Sequence, residues 1–247
     1  MTHLTQPLKL AAAVALALST LAPLAQAEEK KPDDEVTFNA SLASTYRYRG
    51  IGQTREKPAL QGGADYVNNP TGFYLGTWLS TIKWIKDAGG DSNVEWDVYG
   101  GKRGELAKDI TYDVGFLSYI YASNGLKPSA NTTEIYGQVG FGPAYLKYSN
   151  STTNLFGFAN SKNSGYLDVG ANLDVAEGLQ LNLHAGRQTV KNNGAFSYND
   201  YKVGLTKDLG FASLSGAIIG TDTDAYTGPG GKNLGKTTLV VILTKTF

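Results

Sequence analysis

From Val36 onward, apolar and polar residues take alternate positions. Val36, Phe38, Ala40, Leu42, Tyr46 and Tyr48 fall on one face, and Thr37, Asn39, Ser41, Thr45, Arg47 and Arg49 on the other. A period of two is that of extended chain with one apolar side, not of a helix. The run is longer than an ordinary globular strand. It suits a tilted membrane-crossing strand of about 9 to 11 residues with an extension into a loop. The pattern returns between turn residues and predicts twelve strands, near residues 36-48, 58-67, 73-82, 94-102, 110-121 and 133-141, then 144-149, 165-173, 179-189, 200-207, 211-220 and 237-247. Ten or fourteen strands are also compatible with the spacing.

The connections alternate in length. Asn68 to Gly72, Arg103 to Asp109, Gly142-Pro143, Asp174 to Gly178 and Asp208 to Gly210 are compact. Between them lie long polar stretches: Gly50 to Lys57, Lys83 to Asn93, Ala122 to Thr132, Asn150 to Ser164, Val190 to Asn199 and Thr221 to Lys236. Long-short alternation is the outer-membrane arrangement, with short periplasmic turns, long extracellular loops and both termini in the periplasm. Aromatic residues sort in the same way. Tyr46, Tyr48, Trp84, Tyr121 and Tyr201 sit toward the long loops, and Phe38, Tyr66, Phe73, Phe141 and Phe247 toward the short turns, as two interfacial girdles would require. The chain ends on an alternating strand, Thr237 to Phe247, whose terminal aromatic residue predicts a recognition signal for the outer-membrane assembly machinery.

The N-terminus changes the picture from soluble to exported. A single cation, Lys9, precedes an apolar stretch from Leu10 to Leu18, and the small-residue triplet Ala25-Gln26-Ala27 comes after it. This predicts a signal peptide over residues 1-27, cleaved after Ala27, a short periplasmic tail over 28-35 and a barrel over 36-247. Beyond Ala27 the longest purely apolar run is Leu239 to Leu243, far short of a membrane helix. In lipid only helices and closed barrels satisfy every backbone group, so the period-two pattern predicts a barrel.

Cationic and anionic side chains number 22 each, and Lys9 is the only one of them before Ala27, so the exported part is nearly neutral. That balance disfavours a nucleic-acid partner. Without cysteine there is no disulfide and no thiolate metal site, and His184 is the only histidine after the signal peptide. No metal site and no cofactor are implied.

Tyr46 to Thr54, together with Pro58 to Tyr66, resembles the TorF-type porins, a proteobacterial family of outer-membrane proteins largely without characterised activity. The similarity continues through Gly72 to Ser80 and Val94 to Gly101, then loosens into a rhythm of tyrosine-bearing strands. The resemblance implies a barrel and suggests a porin, with no substrate and no catalytic set to carry over.

Two local constellations compete with a transport reading. Gly230 to Thr237 matches the phosphate-loop pattern G-x-x-x-x-G-K-T, but that chemistry needs a helix after the loop, and the next residues are the alternating Thr238 to Phe247. Asp168 and His184 fall on the polar face of consecutive strands around the 174-178 turn, directly opposite one another. Such a pair could begin a hydrolase triad, although no nucleophile motif accompanies it. A polar cross-strand pair in a wet lumen accounts for it equally well. Asp222 and Asp224 are too few for calcium.

Parity assigns Arg47, Arg49, Glu95, Asp97, Glu134, Lys147, Asp168, His184 and Lys202 to the inside. Residues of both signs there either shape the field of a pore or fill a narrow lumen with salt bridges. The expectation is therefore an all-β, antiparallel, up-and-down transmembrane barrel embedded in outer-membrane lipid of a Gram-negative bacterium. It would pass ions or small hydrophilic solutes and perform no enzymatic reaction. The alternative is a closed barrel with a structural, adhesion or partner-binding role through its long loops. Oligomeric state, and whether the lumen is open, stay undecided.

Overall fold

The computed structural model describes residues 32–247. The signal peptide expected over 1-27 and the start of the tail expected over 28-35 lie outside the described residues. Twelve antiparallel strands form the wall: β1 (Asp34–Ala43), β2 (Ala59–Asn68), β3 (Phe73–Thr81), β4 (Val94–Ala107), β5 (Ile110–Ile120), β6 (Thr132–Phe141), β7 (Ala144–Ser151), β8 (Gly165–Ala176), β9 (Leu179–Thr189), β10 (Tyr198–Asp208), β11 (Ser213–Thr221) and β12 (Thr238–Thr246). Each pairs with its sequence neighbours, and β1 pairs with β12 to close the ring. Closure leaves no unpaired strand edge, the condition a sheet must meet to sit in lipid.

The period-two pattern is sorted as expected. Val36, Leu42, Leu75, Val139, Leu146, Val203, Ile218 and Leu239 are exposed on the outer surface, and Leu181 and Leu183 on β9 are half-exposed. Apolar exposure around the whole circumference exceeds what a soluble monomer presents and marks a lipid-facing wall. Phe38, Tyr66, Phe73, Phe141 and Phe247 are likewise exposed. Lys245 points outward and lies 5.2 Å from the Phe247 ring.

Connections at one rim are short, spanning residues 69-72, 108-109, 142-143, 177-178 and 209-212. Each contains a residue in the left-handed region, respectively Gly72, Asp109, Gly142, Gly178 and Gly210, as such tight returns require. The opposite rim carries the long loops, one of which includes a single helical turn, α1 (Trp84–Asp87). The phosphate-loop match dissolves into a 3-10 turn, Pro229–Gly231, and a two-residue strand, Lys232–Asn233, with no helix after it.

Two expectations are corrected. The first strand does not run to Tyr48: it leaves the wall after Ala43. The Ser44 amide donates to the Val241 carbonyl at 2.8 Å, and the Ser44 hydroxyl accepts from the Val241 amide at 3.0 Å. This ends the ladder, and the next residues turn into the lumen. Tyr46, Tyr48, Trp84 and Tyr121, placed in an outer girdle by sequence, are instead packed inside with buried partners, and only Tyr201 of that set faces outward.

The second correction concerns register. His184 stands opposite Gly170, and Asp168 opposite Gly186, because β8 and β9 turn at Glu177-Gly178 with a bulge between Asp174 and Ala176. The Asp168–His184 contact forms diagonally across the pair of strands.

Candidate functional site: the lumen and its hairpin

The segment that leaves β1 folds into a hairpin, with Arg47–Tyr48 pairing Ile51–Gly52. Its tip, Arg49-Gly50, has φ of 43° and 79°, the doubly left-handed turn typical of two-residue hairpins. A Cβ on Gly50 would stand 2.9 Å from the Asp200 Cβ and 3.0 Å from the Gly220 carbonyl oxygen, so the tip rests directly on β10 and β11 and admits only glycine.

Arg49 reaches further. Its guanidinium donates to both Glu134 oxygens, at 3.0 and 2.7 Å, and to Gln188 at 2.7 Å, and it lies 4.0 Å from the Tyr166 ring centre. One side chain thus ties the hairpin to β6, β8 and β9 by the bidentate geometry that only arginine offers. Arg47 donates to the Gly50 and Leu234 carbonyls, at 2.9 and 2.5 Å, and to Glu56 at 2.7 Å. Both arginines enter the lumen from the hairpin and not, as parity suggested, from the wall.

Under the long loops, on the β3–β6 side, the lumen is filled. The Tyr46 and Tyr121 hydroxyls donate to the two oxygens of Glu95, at 2.6 and 2.8 Å. Tyr48 donates to Tyr119 at 2.7 Å, and Tyr46 meets Trp78 edge-on with ring centres 5.4 Å apart. Asp97 is buried in this cluster, its Oδ1 without a hydrogen-bond partner among the described residues. Lower down, Tyr74 donates to Asp113 at 2.6 Å and also meets the Tyr136 hydroxyl.

The other half of the lumen is open. A cavity of about 530 Å³ lies against β1 and β7–β12, reaches the short-turn rim at Phe211 and Phe247, and ends at the hairpin. Six of the nine inward residues expected from sequence line it: Arg47, Arg49, Lys147, Asp168, His184 and Lys202. Glu95, Asp97 and Glu134 face inward but belong to the filled half.

His184 is held between two carboxylates, Nδ1 at 2.8 Å from Asp168 Oδ1 and Nε2 at 2.6 Å from Asp200 Oδ1. A carboxylate only accepts, so each contact uses an N–H on the facing nitrogen. Neither nitrogen is left to take a proton from a nucleophile, and this removes the geometry a hydrolase triad needs. Tyr166 completes the group, donating to Asp200 Oδ2 at 2.9 Å.

Sequence reasoning missed Asp200 and Asp113. Asp200 shares the parity of Lys202, which was assigned inward, and that parity was the available signal; no residue of the 110-121 strand was assigned inward, and Tyr121, of Asp113's parity, was placed in the outer girdle.

The family model described as "Bacterial protein of unknown function (Gcw_chp)" matches residues 26–247. No curated protein matches the chain by sequence. Among solved structures the fold is similar to KdgM porin, with 8% identity, TM-score 0.55, and coverage of 86% of this chain and 98% of that one. KdgM porin in complex with disordered oligogalacturonate gives 9%, 0.54, 86% and 98%. NanC porin gives 9%, 0.55, 86% and 99%. At these identities the likeness establishes a shared barrel fold.

Proposed function

The chain belongs to the Gcw_chp family of bacterial proteins of unknown function, and from its barrel fold and interior we propose that it is an outer-membrane porin-like channel for small hydrophilic solutes. The observation that carries this reading is the cavity, crossed by a belt of charged side chains, that reaches the short-turn rim and is bounded above by the Arg47–Gly52 hairpin. In this reading the short-turn rim faces the periplasm, the signal peptide is removed after Ala27, and Phe247 marks the chain for assembly. Arg47, Arg49, Lys147, Asp168, His184 and Lys202 line the path, with the hairpin as its narrowest part. The similarity of Tyr46 to Tyr66 to TorF-type porins supports it, as does a structural neighbour seen with oligogalacturonate.

The three-strand grip on Arg49 favours a second reading, a barrel closed by its own first loop whose long loops engage a partner. One experiment separates the two. The exported chain is reconstituted into planar bilayers beside a version in which residues 46-55 are replaced by a short Gly-Ser linker. Discrete current steps from the natural chain, larger in the linker version, support the porin. Silence from the natural chain with current only from the linker version supports the closed barrel, and silence from both versions, each shown to be inserted and β-folded, overturns the channel reading.

A further inference from the structure

The cavity changes character along its length. The charged lining residues Arg47, Arg49, Lys147, Asp168, His184, Asp200 and Lys202 lie at the hairpin or across the middle of the wall. On the short-turn side of that belt the only charged side chain in the lining, among the described residues, is Asp208. The wall there is lined by carboxamide and hydroxyl, with Phe211, Ala212 and Phe247 at the rim. Asn172 and Asn182 stand opposite each other across β8 and β9, and Gln180 sits two residues below Asn182 on the same face. Asn182 donates to Asn172 at 2.7 Å and to Gln180 at 3.0 Å, while its own oxygen accepts from Thr206 at 2.7 Å. Gln180 in turn donates to Asp174 at 3.1 Å, which fixes the orientation of the bank and leaves the Asn172 NH₂ group, the second N–H of Gln180 and the spare oxygen lone pairs for the cavity.

A second set faces it. In the twelve-strand ring β2 and β8 are diametrically opposed, as are β1 and β7. Thr37 and Asn39, in the short-turn half of β1, therefore look across the same cavity at the first bank. The volume of about 530 Å³ is within the range of small-molecule sites.

The chemistry of the lining selects a ligand class. A carboxamide offers donor and acceptor together, the same pair that an alcohol offers in return. An acidic solute, which only accepts, would find amide oxygens and the Asp208 carboxylate turned toward it and no cation among the side chains lining this end of the cavity; Arg103 of β4 is held over the Tyr74 ring in the filled half. A metal ion or ammonium group, which only draws on acceptors, would waste the NH₂ groups. We infer that the mouth of the cavity is a subsite for uncharged, hydroxyl-rich solutes, neutral saccharides or polyols of a few rings, held between the Asn172–Gln180–Asn182 bank and Thr37 and Asn39 of β1. The inference deepens the porin reading by naming the class of solute, and it also stands for a blind pocket.

The test is calorimetric titration of the full exported chain in a sugar-free detergent with maltotriose and, separately, with a trimer of galacturonic acid. Potassium chloride conductance of the same preparation is measured in bilayers. Maltotriose should bind saturably, the acidic trimer at least tenfold more weakly. Asn172→Leu/Asn182→Leu, of similar volume but without the amides, should weaken maltotriose at least tenfold while keeping the β-fold and membrane insertion of the parent. Should that variant fail to fold, Asn39→Leu, on the facing wall, is expected to weaken maltotriose several-fold. No heat with maltotriose, equal binding of the acidic trimer, or undiminished binding by a folded variant overturns the inference. Conductance without maltotriose binding overturns it and leaves the porin standing. Maltotriose binding without conductance keeps the subsite and overturns the porin.

Discussion

Replacing Arg49 by Ala should release the hairpin from the lumen. The Arg49 and Glu134 side chains are only 5% and 3% exposed, and the pair is bidentate. Removing one member of such a pair leaves a buried carboxylate without its cation, which costs roughly 3–5 kcal/mol in general. Truncation of Arg49, which lines the cavity, opens a path for water to Glu134, so the lower figure is the relevant one. At about 1.4 kcal/mol per tenfold, the population of the released hairpin should rise on the order of a hundredfold.

The chain has no cysteine, so Ile51→Cys provides a clean reporter. Ile51 is 6% exposed in the hairpin, packed with Tyr198 and Leu234. Its maleimide labelling rate tracks release. Labelling should accelerate by about two orders of magnitude in the Arg49→Ala background. Arg55→Ala, which breaks the largely exposed pair with Asp87, should change it by less than about fivefold, since exposed pairs contribute about 1 kcal/mol or less. Arg49→Leu/Glu134→Leu should return the rate toward the parent value, because a matched apolar pair removes the orphaned charge. Parental labelling in Arg49→Ala would show that the hairpin is held by its aromatic contacts alone and would refute the reasoning.

Three further outcomes are expected. Hydrogen bonds from the Asn199 backbone amide at 2.8 Å and side-chain amide at 2.5 Å hold the Asp222 carboxyl below its ordinary range. A depressed carboxyl contributes at neutral pH and loses that contribution as pH falls through its lowered value. Proteolysis of loop 222-237 should therefore accelerate only once pH falls below the ordinary carboxylate range, whereas Asp222→Ala should be cut quickly at every pH. Gly72→Ala places a Cβ against the Arg103 carbonyl oxygen at a φ of 74°, and should lower stability by at least about 2 kcal/mol in urea unfolding from vesicles. Phe247→Ala should cut the yield of inserted barrel in cells several-fold while leaving refolding from urea into detergent intact; equal losses in both would assign Phe247 a packing role only.

The wall was legible because lipid imposes one rule on every strand. Val36, Leu75, Val139 and Leu239 announce their outward face by parity alone, and the loop lengths announce the two rims. The interior was less legible for a physical reason. Tyr46 and Tyr48 continue the alternation of β1, and an aromatic residue suits both a lipid interface and a buried cluster, so pattern cannot tell where the chain leaves the wall. The partner of Arg49 is Glu134, 85 residues away, and no local spacing encodes such a pair. The Asp168–His184 register failed by two residues because β8 runs on to Ala176 and returns through a two-residue turn, a slip of three that the bulge at Asp174/Ala176 reduces to two, and bulges carry no sequence mark as plain as a glycine. Asp200, with the parity of Lys202, could have been found.

The seam between the two ends of the chain has a mechanical consequence. β1 shares ten register positions with β2 but five with β12, supplemented by the Phe38–Phe247 backbone contact. Opening that seam breaks the shortest ladder in the ring, so thermal unzipping should begin there. The Ser44–Val241 bonds that tip the hairpin inward sit at the top of the same seam. Wall and stopper therefore hang from one hinge: a force that parts the first strand from the last also pulls the cork.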